Sequence, residues 1–434
     1  MKQAFLNPGK SAIFEAQNHA QKRPMIRHQV YFDTLGSIKE DSASWRSVFA
    51  GLSVLRLLDS YTESGSSIDP ASWALLHSVR SAIEDVSDGD PVRGVLTTVL
   101  EEATKRAAID DVVCWSLLAY GRALDYEASW SLATDVFSTV AKIARPEKNA
   151  PLAIEANVAI GGAARRNGDW ETSARAYSQA AFIADTVGDR YGILTVQVGI
   201  ANTYLAKGNL PQAQSILDDV VVQSREERMS EVQAKALHSR SVISGLKGEK
   251  AEAVRLAYEA LSLTSTPTDR DLILEDIGGM FTLLGMYDTA RDAHLIIANT
   301  AQMKMTRWSA TLNLMELASL DGQEEVFDSY ARDLAREPLN PWLRCHYLLF
   351  LGEGFARFGR YDSAEDALRE ASALAEANQI HQIAFKAQSA LETVRATPLA
   401  TPTFSPPTGW VPEEVGDVIR GISDLRKAVV AASR

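Results

Sequence analysis

Apolar and polar residues follow a helical period along most of this chain, and glycine-centred turns cut the pattern into pairs. The stretch Leu152–Val187 (LAIEANVAIGGAARRNGDWETSARAYSQAAFIADTV) shows the unit, two amphipathic helices hinged at Asn167-Gly168-Asp169. Gly168, Gly208, Gly248, Gly285, Gly322 and Gly359 sit in equivalent turns, spaced 40, 40, 37, 37 and 37 residues apart. A period in that range marks a stacked array of helical hairpins. The pattern predicts helix pairs at 111–124 with 126–144, 152–167 with 170–187, 191–207 with 210–226, and 231–247 with 249–264. It continues with 269–284 and 286–302, 305–320 and 322–336, then 341–358 and 360–377, and closes on a lone capping helix at 379–396. Pro146, Pro151, Pro267, Pro338 and Pro341 fall in the connections, where a missing amide donor does no harm.

Both flanks depart from this regularity. Ser44–Thr62 reads as a helix, with Trp45, Val48, Phe49, Leu52 and Leu55 at helical spacing. Asp69 and Pro70 open a second helix that reaches Val86, and Asp88-Gly89-Asp90-Pro91 turns into a third over 92–108. Residues 44–110 thus read as degenerate helical repeats, as expected of terminal units that expose one face to water. Residues 1–43 contain Pro8, Gly9, Pro24 and Gly36 and read as an irregular basic arm with a short helix at Ser11–Gln21. Phe5, Phe14, Tyr31 and Phe32 imply that the arm packs, on its own solenoid or on a partner.

At the other end, 397–412 (TPLATPTFSPPTGWVP) is a proline-rich, extended linker. Residues 413–434 read as an amphipathic helix with Val415, Val418, Ile419, Ile422, Leu425 and Val429 in one stripe. Glu413, Glu414 and Asp417 lead it and Arg426 and Lys427 close it, matching the helix dipole. A lone helix of this length is marginal in water. It is expected to dock on its own solenoid, as a plug or an end cap, with capture of a partner as the alternative.

In the unit 152–187, Trp170, Ala174, Tyr177 and Ala181 make a stripe that so short a hairpin cannot bury alone; stacked neighbours can. Gly161, Gly278 and Gly352 each lie seven positions before a turn glycine. A glycine inside a helix costs ~1 kcal/mol against alanine, so its recurrence there points to close helix crossing. On these residues the chain resembles the tetratricopeptide repeat (TPR) family. Gly352, Phe355, Gly359, Tyr361, Ala364, Leu368 and Ala371 follow its pattern, as do Gly278, Phe281, Gly285, Tyr287, Ala290 and Ile297, with His294 at the bulky position. Tyr204, Gly208, Ala213 and Leu217 match in part, and so do Gly248, Ala253, Ala257 and Ala260. The unit at Gly322 departs, with Met315 for the small residue and Phe327 for the second one; the unit near Tyr126 has Leu124 where the turn glycine is expected.

The resemblance covers about 111–396, and the period exceeds the family's usual 34 residues, as in a longer-helix subtype. It implies an all-α fold, a right-handed α-α superhelix or TPR-like solenoid, preceded by degenerate repeats and followed by the linker and helix. It also implies that first helices line a concave groove and second helices the convex side.

Composition narrows the function classes. Hydrophobic residues make up 46% of 434, enough for a continuous core, and the net charge of −12 argues against nucleic-acid or anionic-membrane binding. Only the start is basic, with Lys2, Lys10, Lys22, Arg23 and Arg27 against Glu15 within residues 1–31. That arm has prolines and glycines where a DNA-recognition helix would be needed. No apolar run suits a bilayer span or a signal peptide, so a cytoplasmic protein is expected, with Cys114 and Cys345 reduced and buried.

Phosphate-loop, HExxH and GxSxG motifs are absent, and the seven histidines are scattered. Cys345 and His346 point to different helix faces, and Asp218-Asp219 and Glu324-Glu325 read as solvated surface. No catalytic residue, cofactor or metal is expected, and the chain is read as non-enzymatic. The candidate groove residues are Arg165, Arg166, Asn202, Lys235 and His238, followed by Glu275, Asn313, Glu316, His346 and Glu353. The first set is basic or amide-bearing and the second mostly acidic, a gradient that would orient an extended ligand. The reading is a scaffold that binds a protein or peptide partner. The alternatives are a regulatory sensor of a small ligand or signalling peptide, or a structural subunit joined to an assembly through its ends.

Overall fold

Asp90 shows how these helices begin: its carboxylate accepts a hydrogen bond from the Val92 amide at 2.9 Å, with Pro91 in the first turn. Asn149, Asp169, Asp189, Asn209 and Asn340 each accept from the amide three residues on and open five later helices in the same way. A computed structural model describes residues 27–64, 70–106, 109–378, 380–396 and 415–432, and the elements among them are all α-helices. They form two compact units, residues 1–120 and 121–434.

The first unit contains α1 (Gln29–Ser37), α2 (Ala43–Ser64), α3 (Pro70–Glu84), α4 (Pro91–Thr104) and the start of α5 (Asp111–Tyr126). Helix α2 packs against α1, α3 and α4. Tyr31 of α1 is fully buried, and its hydroxyl lies 3.1 Å from that of Tyr120. Gly51 on α2 leaves the space that the Tyr120 ring fills. The stretch read as an irregular arm is therefore helical over 29–37 and part of the core. The expected helix at Ser11–Gln21 lies outside the described residues.

The second unit continues with α6 (Trp130–Ile143), then the hairpins α7 (Ala150–Arg166) with α8 (Trp170–Val187) and α9 (Arg190–Ala206) with α10 (Leu210–Glu226). Next come α11 (Ser230–Leu246) with α12 (Lys250–Leu263) and α13 (Pro267–Leu283) with α14 (Tyr287–Thr300). Helices α15 (Lys304–Leu320) with α16 (Glu324–Ala335), α17 (Pro341–Arg357) with α18 (Tyr361–Ala377), and α19 (His381–Ala396) complete the array. Packing runs from each helix to the next, and first helices also touch the first helices of neighbouring hairpins.

The turn glycines adopt φ of +70° to +82°, a left-handed conformation that ordinary residues resist. The expectation that Leu124 stands in the corresponding turn is corrected by the structure. Helix α5 runs on to Tyr126, and the left-handed position, φ +57°, falls to Ala128, one 40-residue period before Gly168.

In the hairpins with a glycine seven places before the turn, that glycine faces the residue nine places after it. A side-chain carbon at Gly161 would stand 2.7 Å from the Tyr177 ring, and one at Gly352 would stand 2.6 Å from Leu368. Gly121 and Phe137 stand in the same relation. The departure at Met315 now has a reason. Its counterpart on α16 is Ala331, both are buried, and the large and small partners have changed sides. Volume across the crossing is conserved, which is what a close-packed interior requires.

The last helix, α20 (Gly416–Ala432), packs mainly on α14 and also on α12. Val415, Val418 and Ile422 are buried there, and Gly421 leaves room for Tyr258. Asp292 lies within the field of Arg426 and Lys427. The expected plug or end cap is thus corrected: α20 lies against second helices, away from the groove side and from α19. The linker 397–412 lies outside the described residues.

Candidate functional site

Side chains on the first helices that point neither into their own hairpin nor at a neighbour form one face. Its register is easily read from the last residue of each first helix: Tyr126, Arg166, Ala206, Leu246, Leu283, Leu320 and Arg357. The face is concave. Tyr126 on α5 reaches Thr268 and Asp269 on α13, four hairpins later, which requires the intervening first helices to curve inward.

Polar residues on this face bridge consecutive first helices. Arg166 Nε lies 3.0 Å from Asp125, and Arg122 bonds Glu155. His238 Nε2 lies 2.7 Å from Asp276, and Lys235 lies 4.0 Å from Asp269. The Ser309 hydroxyl donates to Glu275, whose pKa is raised by burial. The structure therefore neutralises several groups that the sequence offers as free charges. Arg165 needs a firmer correction: it is drawn against Tyr177, burial lowers its pKa, and its Nε is buried without a partner. Arg165 and Arg166 are not a pair of free cations. Asn202 and Asn313 are half-buried, and among the described residues neither side chain has a hydrogen-bond partner.

Glu316 and Glu353 come together at the far end, where α15, α17 and α19 enclose a cleft of about 540 Å³. Phe350, Arg357, Phe385 and Lys386 also line it. Burial and the nearby Glu353 push the Glu316 carboxyl up to about 7, against the opposing pull of Arg357 and Lys386. His346 lies nearby, its ring 4.1 Å from that of Trp342 and 6.2 Å from Phe350. Its Nδ1–H donates to the Trp342 carbonyl at 3.0 Å, and burial lowers its pKa.

Sequence reasoning missed the apolar members of this face. Leu246 is 64% exposed, Leu283 67% and Leu272 41%, large values for leucines inside a concave surface. The signal was available, since Leu246 and Leu283 occupy the register of Arg166 and Arg357, but a search confined to polar groups passes over it.

The turn glycine, the residue seven before it and the residue nine after it recur hairpin after hairpin. The fold is TPR-like. No family model matches the chain, and no curated protein sequence does. Solved structures resemble it distantly. A Rap protein complexed with Competence and Sporulation Factor is 13% identical, covering 81% of this chain and 98% of that one at a TM-score of 0.42. The Rap conjugation gene regulator of plasmid pLS20, with the Phr* peptide, gives 13%, 81%, 98% and 0.41. The APC/C hetero-tetramer Cut9-Hcn1 is 14% identical, covering 82% of this chain and 66% of that one at 0.47. No helix among the described residues is long and apolar enough to cross a membrane.

Proposed function

We propose that residues 121–396 form a non-enzymatic scaffold that binds a protein segment or peptide along the concave first-helix face. The observation that carries this reading is the pair of solvent-exposed leucines, Leu246 and Leu283, at one register of that face. Exposed apolar side chains in a concavity cost solvation free energy that a bound partner would recover, about 25 cal/mol per Å² of apolar surface buried. Half-buried amides at Asn202 on α9 and Asn313 on α15, the first helices on either side, would supply directional contacts.

A photocrosslinking amino acid placed at Leu283 tests the reading against one placed at Phe182, which is 68% exposed on the second helix α8. Adducts formed in extracts of the source cells are expected at Leu283 and not at Phe182. Equal yields at both positions would count against a groove partner.

A further inference from the structure

The first turns of α20 are packed tight, with Val415, Val418 and Ile422 buried and Gly421 against Tyr258. Its later turns stand off, and a cleft of about 430 Å³ lies between them and α12, α13 and α14. Leu274 on α13 and Ile296 on α14 are buried at its floor. Leu261 on α12 and Leu425 and Val429 on α20 wall it, with Leu425 41% exposed at the mouth. Small residues, Ala428 and Ala432, line α20 where larger ones would close the gap. The α20 wall runs from Leu425 to Ala432, about 10 Å along the helix axis, so the cleft suits an elongated chain. Its volume and apolar lining are those of a small-molecule site.

Among the described residues lining it, one is charged: Arg270, half-buried on α13. Its guanidinium donates to the Thr300 hydroxyl at 3.1 Å, and no carboxylate among the described residues pairs with it. Asp271, next in the chain, lies in its field without an ion pair. The carboxylates on the bordering elements are already matched. Glu259 holds Arg225 and Arg255, Asp424 holds Lys427, Asp292 lies in the field of Arg426, and Glu231 is taken up by Thr264 and Ser265. Nor is Arg270 needed to answer the carbonyls that follow α14, because Arg307 donates to those of Ala301 and Gln302. An arginine fork without an anion, at the edge of an apolar cleft, matches a carboxylate with an apolar tail.

We propose that this cleft binds an amphiphilic monocarboxylate of medium chain length, with its carboxylate on Arg270 and its alkyl chain between α20 and the floor residues. The bound chain touches α20 and the array at once and so holds α20 on its seat. The concave face takes no part, and this site stands or falls apart from the groove reading.

Isothermal titration calorimetry on the full chain with acetate, hexanoate, octanoate, decanoate and decanol tests it. Acetate is expected not to bind, and affinity should rise about fourfold per methylene from hexanoate to decanoate. Decanoate should bind on the order of tenfold more tightly than decanol. Arg270→Gln should bring decanoate down to the level of decanol, Arg270→Lys should keep most of the affinity, and Ala428→Trp should abolish binding of both. Helicity by circular dichroism should be unchanged in all three. Saturating decanoate should also slow hydrogen exchange of the amides of Gly416–Ala432. Acetate binding as tightly as decanoate, decanol matching decanoate, indifference to both Arg270→Gln and Ala428→Trp, or no binding at all overturns the proposal. Unchanged exchange in α20 with decanoate bound places the ligand elsewhere and overturns it too. Should Arg270→Gln lose helicity, the comparison of decanoate with decanol on the wild-type chain decides.

Discussion

Gly278 lies directly beneath the His294 ring, so that a side-chain carbon at Gly278 would stand 2.5 Å from Nε2. The adjacent Gly279 has nothing within 4 Å of the same point. Neighbouring glycines on one helix should therefore respond to substitution with opposite signs. Gly278→Leu is expected to cost about 1–3 kcal/mol through overpacking. Gly279→Ala should gain about 0.5–1 kcal/mol from helix propensity. Thermal melts followed by circular dichroism read both, and an unchanged midpoint for Gly278→Leu would mean that the hairpin crossing is misplaced.

His294 itself is 1% exposed, and its Nδ1 has no hydrogen-bond partner. Burial depresses its pKa from 6.5 to about 4. Above pH 6.5 the ring is neutral in both folded and unfolded chains and carries no pH dependence. Between pH 6.5 and 4 the unfolded chain takes up a proton that the folded chain refuses, so stability falls with pH. Leucine fills the equivalent place opposite Gly352, and His294→Leu should remove this loss. Its advantage over wild type should grow by about 3 kcal/mol on going from pH 7 to pH 4. A constant difference across that range would remove the histidine from the account.

Glu316 works in the opposite direction. Its folded-state pKa of about 7 exceeds the ordinary 4.5, so its contribution is intact below pH 4.5 and is lost as pH rises through 7. Glu316→Gln should therefore match wild type near pH 4 and exceed it by about 3 kcal/mol at pH 8. Denaturant titrations at the two pH values would show this. A variant less stable than wild type at pH 8 would mean that Arg357 and Lys386 outweigh burial.

Ala128 holds a left-handed conformation that glycine supplies in the later turns. For an L-residue that geometry costs roughly 1–2 kcal/mol, part of which glycine returns through unfolded-chain entropy. Ala128→Gly is expected to stabilise by about 0.5–1 kcal/mol. A lowered melting temperature would show that the alanine methyl contributes packing that outweighs the strain.

The hairpin register was legible because turn glycines and apolar spacing are local signals, read within one repeat. What escaped depends on distant partners. Nothing near Tyr31 announces Tyr120, which lies 89 residues away and makes α1 part of a core. Arg165 and Arg166 are indistinguishable by type; only the placement of Tyr177 and Asp125 sends one against a buried ring and the other into an ion pair. The Ala128 turn was obscured because α5 is longer than its apolar pattern suggested. For α20, the stripe told how much surface needed cover, but the cover is Tyr258 and its neighbours, and no sequence pattern points there.

The seating of α20 also settles how the array would carry a mechanical load. The chain passes through α15 to α19 before it returns to rest on α14 and α12. Tension applied at Ala432 would enter the array at Tyr258 and Ile422, in the middle of the stack, and not at the exposed end of α19. The hairpins from α15 to α18 lie inside a closed bight of chain and stay slack while that seat holds. Under a pull from the C-terminal side the molecule would yield first by peeling a single helix, and only afterwards by unravelling its terminal repeats one after another.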